Sequence, residues 1–365
     1  MGNHIIDVRR KKALKDNLHW NCEKVDSYNK VWNFCISARG TAKSTKIAWK
    51  VWKNWIHKHC RTLILRRRPV DITPGYINSI TLMINKFLPV HKRIQLYFNK
   101  GDLSQGQADL FLDKKHTILF ARIQALSIPS ERSKSNLIPD VSLIWFDEFI
   151  PNKTNQYLPD EVTNFLDVYG TYSRESRLTT KCWFTGNPYT IYNPFLVYHN
   201  IDLAKVVAGA FLVGKDYVLD FPIISEELKE LILKQNPTYK EDDEYTQYAL
   251  HGIAMHDTKY KIGKKPFNYK LVYVFRVGGN YLSCWKTQDY NIMKEKWFIE
   301  DSKKKPNTSK MIYAIDFDNL VQHTNLLTRE IRQVMFMLKE AIARRQVSYS
   351  SVTSAVLIEN LYKVL

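Results

Sequence analysis

The 365-residue sequence has no run of eighteen uncharged apolar residues, so nothing in it reads as a helix able to span a bilayer. Its first twenty residues carry Arg9, Arg10, Lys11 and Lys12 without the apolar stretch of a secretory leader. The expectation is a soluble, unexported protein with no membrane partner. Cysteine is sparse: Cys22, Cys35, Cys60, Cys182 and Cys284 are odd in number and never spaced as CxxC, which argues against a disulfide framework or a zinc ribbon and for a reducing cytoplasm. His57, His59 and Cys60 crowd together, but their spacing does not put three ligands on one helical face, so no metal site is read there. Internal repeats and low-complexity tracts are also missing. Acidic charge is in short supply, with 36 Asp and Glu against 54 Lys and Arg, a formal net charge of +18. Such an excess repels itself in a compact fold unless a polyanion is nearby. Residues 1–204 hold 30 basic and 17 acidic residues, and residues 205–365 hold 24 and 19, so the excess lies mainly in the first part. A solubilising surface is the plainer reading of the same charge.

What is present is an alternation of short apolar runs and amphipathic stretches over the first two hundred residues, the pattern of an α/β domain with a largely parallel sheet. Strands are expected at 31–36, 62–66, 94–98, 117–121, 141–146 and 181–185. A helix over 44–60 carries Trp49, Trp52, Ile56 and Cys60 at helical spacing, which predicts a core-facing stripe. Beyond residue 201 the spacing predicts a strand near 208–212, helices over 225–235 and 242–251, a hairpin of strands 269–277 and 280–285 around Gly278-Gly279, and a strand at 311–315. A long helix marked by Leu327, Ile331, Val334, Leu338 and Ile342 follows, then another over 351–365. The implied division is 1–204, a linker with helices over 205–255, and a small α+β domain over 256–365.

The strand ending at Ile36 runs into Ser37-Ala38-Arg39-Gly40-Thr41-Ala42-Lys43-Ser44 and a helix, the context of a phosphate-binding P-loop. Ser37 and Ala42 stand where the pattern G-x-x-x-x-G-K-[ST] has glycine. The physics tolerates this, because backbone N–H groups of Arg39, Gly40, Thr41 and Ala42 and the helix N-terminus attract phosphates, Lys43 reaches the β/γ-phosphates and Ser44 holds Mg²⁺. Should Ala42 need positive φ, its Cβ costs about 1 kcal/mol. A Lys-Ser pair opening an ordinary helix is the plain alternative. About a hundred residues on, Val141–Phe146 ends in Asp147-Glu148, a Walker B pattern in which Asp147 orients Mg²⁺ and Glu148 polarises the attacking water. The strand ending before Gly186-Asn187-Pro188 offers Asn187 as a γ-phosphate sensor, or else a simple turn. Arg174 and Arg177 read either as an arginine finger for a neighbouring subunit or as surface salt-bridge residues. ATP and Mg²⁺ are the implied ligands.

With these residues assembled, the first two hundred residues resemble the DNA-packaging ATPases of small short-tailed bacteriophages with protein-primed linear genomes. The likeness rests on Ala38-Arg39-Gly40-x-x-Lys43-Ser44, on Val141-Ser142 through Phe146-Asp147-Glu148-Phe149-Ile150, on Lys134-Ser135-Asn136 and on Tyr157-x-Pro159-x-Glu161-Val162. Ser37 and Ala42 depart from it, since better-known relatives have glycine there. Arg174 falls where that family has its trans-acting arginine finger, Asn187 where its sensor lies, and Arg66-Arg67-Arg68 in its basic segment. The resemblance implies an additional-strand, RecA-like P-loop NTPase domain in a homo-oligomeric ring, a pentamer, at the capsid portal or connector in the host cytoplasm, threading double-stranded DNA. It also implies a packaging RNA in some members and a vestigial nuclease-like, RNase H-like C-terminal domain. Asp316 and Asp318 are read as helix N-caps rather than nuclease ligands. Lys100, Lys114 and Lys115 are candidate DNA contacts in loops. The alternatives are a replicative helicase or recombinase, and a nucleic-acid-binding scaffold that does not hydrolyse ATP.

Overall fold

A computed structural model of the chain describes residues 5–7, 19–128, 137–151, 157, 158, 160–188, 193–199, 201, 209–235, 261–287, 296–317, 319–333, 335–343 and 346–364. The chain divides into two compact units, Met1–Ile191 with Ala204–Met255, and Tyr192–Leu203 with His256–Leu365. No helix among the described residues is long and apolar enough to cross a membrane. Lys134, Ser135, Asn136, Pro159, Asp318 and the predicted 242–251 helix lie outside the described residues.

The first unit is built on a nine-stranded sheet: β1 (Ile5–Asp7), β2 (Trp32–Ile36), β3 (Arg61–Arg66), β4 (Gln107–Phe111), β5 (Leu119–Ala125), β6 (Val141–Asp147), β7 (Lys181–Gly186), β8 (Phe211–Val213) and β9 (Tyr217–Asp220), in the order β1-β8-β9-β2-β7-β6-β3-β5-β4. The five central pairings from β9 to β5 are parallel, and the antiparallel pairs lie at the two edges. β6 is buried along its whole length, as a parallel strand covered on both faces must be, and this is why its sequence is an unbroken apolar run. The register sets Ile36 beside Gly186, Thr185 beside Asp147 and Leu65 beside Phe146, so β2, β7, β6 and β3 end together at one edge.

Two expectations change. The helix Lys43–Lys58 buries Ile47, Ala48, Val51 and Asn54; of the predicted stripe, Cys60 is buried and Trp52 packs half-buried against the core, while Ile56 is 39% exposed. Small and β-branched residues face the sheet closely, while the bulkier Trp49 and Trp52 flank them and pack on Phe87 and Phe120. Residues 94–98 form no strand: Tyr97 makes a single bridge to Phe111, and Ile94 is held through both its N–H and its carbonyl by the Asn85 amide. The strand at that side of the sheet is β4, whose alternate burial marks an edge hairpin with β5.

The second unit is a seven-stranded sheet of β10 (Lys261–Ile262), β11 (Tyr269–Val277), β12 (Asn280–Thr287), β13 (Trp297–Ser302), β14 (Ile312–Ala314), β15 (Asn325–Leu326) and β16 (Val347–Tyr349), ordered β10-β16-β13-β12-β11-β14-β15. β11, β12 and β13 form an antiparallel meander, with β14 parallel to β11 and β15 parallel to β14. Gly278 and Gly279 both have positive φ, the requirement of the tight hairpin turn read from the sequence. The predicted long helix is two pieces, Arg329–Gln333 and Phe336–Ala343, and they pack with the Val352–Val364 helix on the sheet through Leu338, Ala355, Ile358 and Leu361. The Asp316 carboxylate accepts from the backbone N–H and the side chain of Asn319, so it closes a turn rather than capping a helix.

Candidate functional site at the carboxyl edge of the first sheet

At the edge where the parallel strands end, β2 leads through Ser37–Ala42 into the sixteen-residue Lys43–Lys58 helix, whose unpaired N–H groups make its start a natural anion site. Gly40 is left-handed at φ 78, and so is Ala42 at φ 63 and ψ 21. The Cβ at residue 42 is therefore strained, as its place in the loop pattern anticipates. A Cβ at Gly40 would meet Ile232 at 2.8 Å, because the Glu226–Gln235 helix rests on this loop through Leu228 and Ile232 beside Ala38. Arg39 is exposed on the loop.

Lys43 folds back over the loop. Its ammonium donates to the carbonyls of Ser37 and Ala38 at 3.0 and 3.1 Å and to Asn187 Oδ1 at 2.7 Å. Burial lowers its pKa to about 8, against the pull of Asp147 and Glu148. Asn187 reaches it because β7 lies between β2 and β6.

Asp147, at the end of β6, is saturated. Ser44 Oγ and Thr185 Oγ1 donate to its Oδ1 at 3.2 and 2.8 Å, and Arg66 Nη1 and the Tyr76 hydroxyl donate to its Oδ2 at 3.2 and 2.8 Å. A carboxylate has about four acceptor sites, so every one is used. Arg66 also binds Glu148 Oε2 through Nη2 at 2.7 Å and lies over the Tyr76 ring. Burial opposes its charge, but Tyr76, Asp147 and Glu148 hold its pKa above the usual arginine value. Burial, with the negative Asp147 alongside, raises the Tyr76 hydroxyl well above its normal range. Glu148 itself has positive φ, at 58°, and its side chain is 60% exposed. Arg67 holds that turn by donating to the carbonyls of Glu148 and Phe149 while gripping Glu161 with both arms.

The structure thus gathers Lys43, Ser44, Asp147, Glu148 and Asn187 at one edge. It adds Arg66, Arg67, Tyr76, Thr185 and Glu161, which sequence reasoning did not assign to the site. Their signal was faint: two arginines close β3 and two acids close β6, and only the strand order makes them neighbours. Arg174 lies elsewhere. The backbone N–H of Asp140, which precedes β6, donates to the Glu175 carbonyl, so the Glu161–Arg174 helix ends at the opposite edge, about 20 Å away along the seven residues of β6. Arg174 is exposed there and bonds the Gly170 carbonyl of its own helix. Arg177 pairs with Asp140 on the surface, the plainer of its two readings. Lys114 and Lys115 are exposed at the tip of the β4–β5 hairpin, which is tied by Asp113 accepting from Lys115, Thr117 and Ile118, and Lys100 opens the short Lys100–Leu103 helix.

Ser44 and Asp147 present a hydroxyl and a carboxylate within one hydrogen bond of each other. Hard oxygen donors of this kind suit Mg²⁺, which takes one or two protein ligands and completes its shell with water and phosphate. Among the described residues, no group of three His, Cys, Asp or Glu side chains forms a self-sufficient metal site.

The model of the podovirus DNA encapsidation protein (Gp16) family matches residues 14–354. The chain belongs to that family. It is 27% identical over 319 residues to the DNA packaging protein of Bacillus phage phi29, covering 86% of this chain and 88% of that protein. To the DNA packaging protein of Bacillus phage B103 it is 26% identical over 298 residues, covering 80% and 84%. The fold is similar to the Phi-28 gp11 DNA packaging motor, with a TM-score of 0.68, 14% identity and coverage of 96% and 98%. It is also similar to the bacteriophage Phi-29 viral genome packaging motor assembly, with a TM-score of 0.63, 23% identity and coverage of 96% and 100%. The chain is a viral DNA-packaging protein with a mixed α/β fold around a largely parallel sheet.

Proposed function

We propose that the chain is the ATP-hydrolysing subunit of the motor that drives double-stranded phage DNA into a preformed capsid. The observation that carries this is the meeting of a helix-start lysine and serine with the β6 carboxylate, Ser44 Oγ being 3.2 Å from Asp147 Oδ1, at an edge where Asn187 also reaches Lys43. On this reading residues 37–44 are the P-loop, and β7 between β2 and β6 is the added strand of a RecA-like ATPase over residues 1–204. Residues 205–255, expected as its linker, contribute β8, β9 and the Glu226–Gln235 helix to the same unit.

Lys43 leaves the Ser37 and Ala38 carbonyls for the β/γ-phosphates of ATP, which offer it a stronger, charged acceptor. Ser44 and Asp147 would hold Mg²⁺, which neutralises charge developing on the phosphoryl oxygens. Glu148, the more exposed carboxylate, gives up Arg66 to polarise the attacking water. Asn187, released by Lys43, reads the γ-phosphate. Because Arg174 lies at the far edge of its own sheet, its phosphoryl contact is with a second copy, which favours a ring. A pentamer at the portal, assisted by a packaging RNA, is the assembly we infer, and the host cytoplasm is its place of work.

In the C-terminal domain, 256–365, the order β13-β12-β11-β14-β15 with an antiparallel meander and two parallel additions supports the RNase H-like reading. β11 carries no acidic residue, which favours a domain without nuclease activity. Lys100, Lys114 and Lys115 are proposed phosphate contacts, since a motor must grip any sequence.

ATP turnover of the purified protein with and without duplex DNA tests the proposal. Turnover should rise with DNA and vanish in Lys43→Ala and Glu148→Gln, and turnover retained in both variants would reject it.

A further inference from the structure

The 37–42 loop closes on itself through hydroxyl groups that glycines could not supply. Ser37 is 1% and Thr41 3% exposed, and their side-chain oxygens are 2.7 Å apart. Each hydroxyl has one proton to give. Thr41 Oγ1 donates to the Ala38 carbonyl at 3.2 Å, so the proton between the two hydroxyls comes from Ser37. The alternative bond from Ser37 to Ala38 is long, at 3.5 Å. A relay from Ser37 through Thr41 to Ala38 therefore ties the first residue of the loop to its fifth, around the carbonyls that receive Lys43. Both ends are also fixed from outside: the Ser37 N–H donates to the Gly186 carbonyl, and the Thr41 carbonyl accepts from the Trp20 N–H.

The residue after Thr41 needs such support. Ala42 is left-handed, a conformation that glycine adopts freely and that alanine keeps only when its surroundings hold it. We propose that the Ser37–Thr41 hydroxyl pair is a latch that holds the phosphate loop in its nucleotide-receiving shape in place of the two missing glycines. Ser37 and Thr41 are then positioning residues: they act through the backbone, and neither hydroxyl needs to touch the nucleotide. The latch rests on the ATP-site reading given above.

The test compares full-length wild type with Thr41→Val, Thr41→Ser, Ser37→Ala, the double variant Ser37→Ala/Thr41→Val, and Thr41→Val/Ala42→Gly, by calorimetric titration with Mg-ADP and by ATPase kinetics. Thr41→Val removes the hydroxyl at nearly constant volume and should raise Kd about tenfold, the value of one such hydrogen bond. Thr41→Ser, which keeps the hydroxyl, should stay within about twofold, and the double variant should be no worse than either single, as coupled partners require. Ala42→Gly should recover most of the loss in the Thr41→Val background, because glycine needs no latch. KM should follow Kd while kcat at saturating ATP moves less. Equal affinity of Thr41→Val and wild type, additive losses in the double variant, or no rescue by glycine would each overturn the latch alone. A wild type without nucleotide affinity would overturn the ATP reading and the latch together.

Discussion

Arg66 is the only arginine shown bridging both β6 carboxylates among the described residues, and its removal should expose how unequal the two interactions are. In Arg66→Ala, Asp147 is deprived of a partner while its side chain is only 7% exposed. Breaking a buried pair from one side costs about 3–5 kcal/mol, because the remaining charge is stranded in a poorly solvated place. Asp147 keeps the Ser44, Thr185 and Tyr76 hydroxyls, so the lower end, roughly 3 kcal/mol, is the fair figure. The bond to Glu148 adds less than about 1 kcal/mol, since that side chain is 60% exposed and water takes over. In thermal unfolding without nucleotide, Arg66→Ala should melt about 6–12 °C below wild type, taking 2–4 °C per kcal/mol for a unit of this size. Glu148→Gln should fall by no more than about 4 °C. Arg66→Ala/Asp147→Asn should melt above Arg66→Ala, because the stranded charge is gone. The reasoning fails if Glu148→Gln costs as much as Arg66→Ala, or if neutralising Asp147 brings no recovery.

Three further outcomes are open to measurement. Burial raises the Asp220 carboxyl from 3.8 to about 7, against the hydrogen bond it accepts from the Trp20 indole. The folded state then holds a proton that the unfolded state releases near pH 4, so this group's contribution is full below that pH and is lost as pH rises through 7. Asp220→Asn, which keeps an acceptor for Trp20, should flatten the pH dependence of melting over that window and stabilise the protein above pH 7 by up to about 4 kcal/mol, at 1.36 kcal/mol per unit. A variant less stable than wild type at pH 8 would contradict this. In the ring proposed above, Arg174→Ala should lose ATPase activity while binding nucleotide as wild type does, and a matching loss of nucleotide affinity would place Arg174 in its own subunit's site. Lys114→Ala/Lys115→Ala should weaken duplex binding at every sequence and reduce the salt slope by about 2, one for each phosphate no longer neutralised, and an unchanged slope would remove the hairpin tip from the DNA path.

How far the sequence could be read depended on whether each feature is local. The strand, loop and helix around Lys43 follow one another in the chain, as do the apolar run and its closing Asp147-Glu148, so pattern alone finds them. Arg66 and Tyr76 could not be assigned that way, because they meet Asp147 only through the placing of β3 against β6, and strand order leaves no periodic mark. The Lys43–Lys58 helix misled for another reason. Tryptophan weighs heavily in an apolar pattern, yet close packing on the sheet selects Ala48 and Val51, and the ring systems go to the flanks. β4 was missed because a neighbouring run, Ile94–Phe98, matched a strand equally well, and the Asn85 side chain, not a ladder, takes up the polar groups of Ile94. The second Asp of the 316–318 pair lies outside the described residues, and the first closes a turn that spacing alone does not distinguish from a cap.

The account is tested most directly by a structure of the assembled protein with Mg²⁺ and a non-hydrolysable ATP analogue. It predicts the Lys43 ammonium moved from the Ser37 and Ala38 carbonyls to the β/γ-phosphates, Mg²⁺ between Ser44 and Asp147, and Glu148 free of Arg66 and facing the terminal phosphoryl group. A nucleotide bound away from the 37–44 loop, or Lys43 still on its carbonyls with the analogue in place, would contradict it.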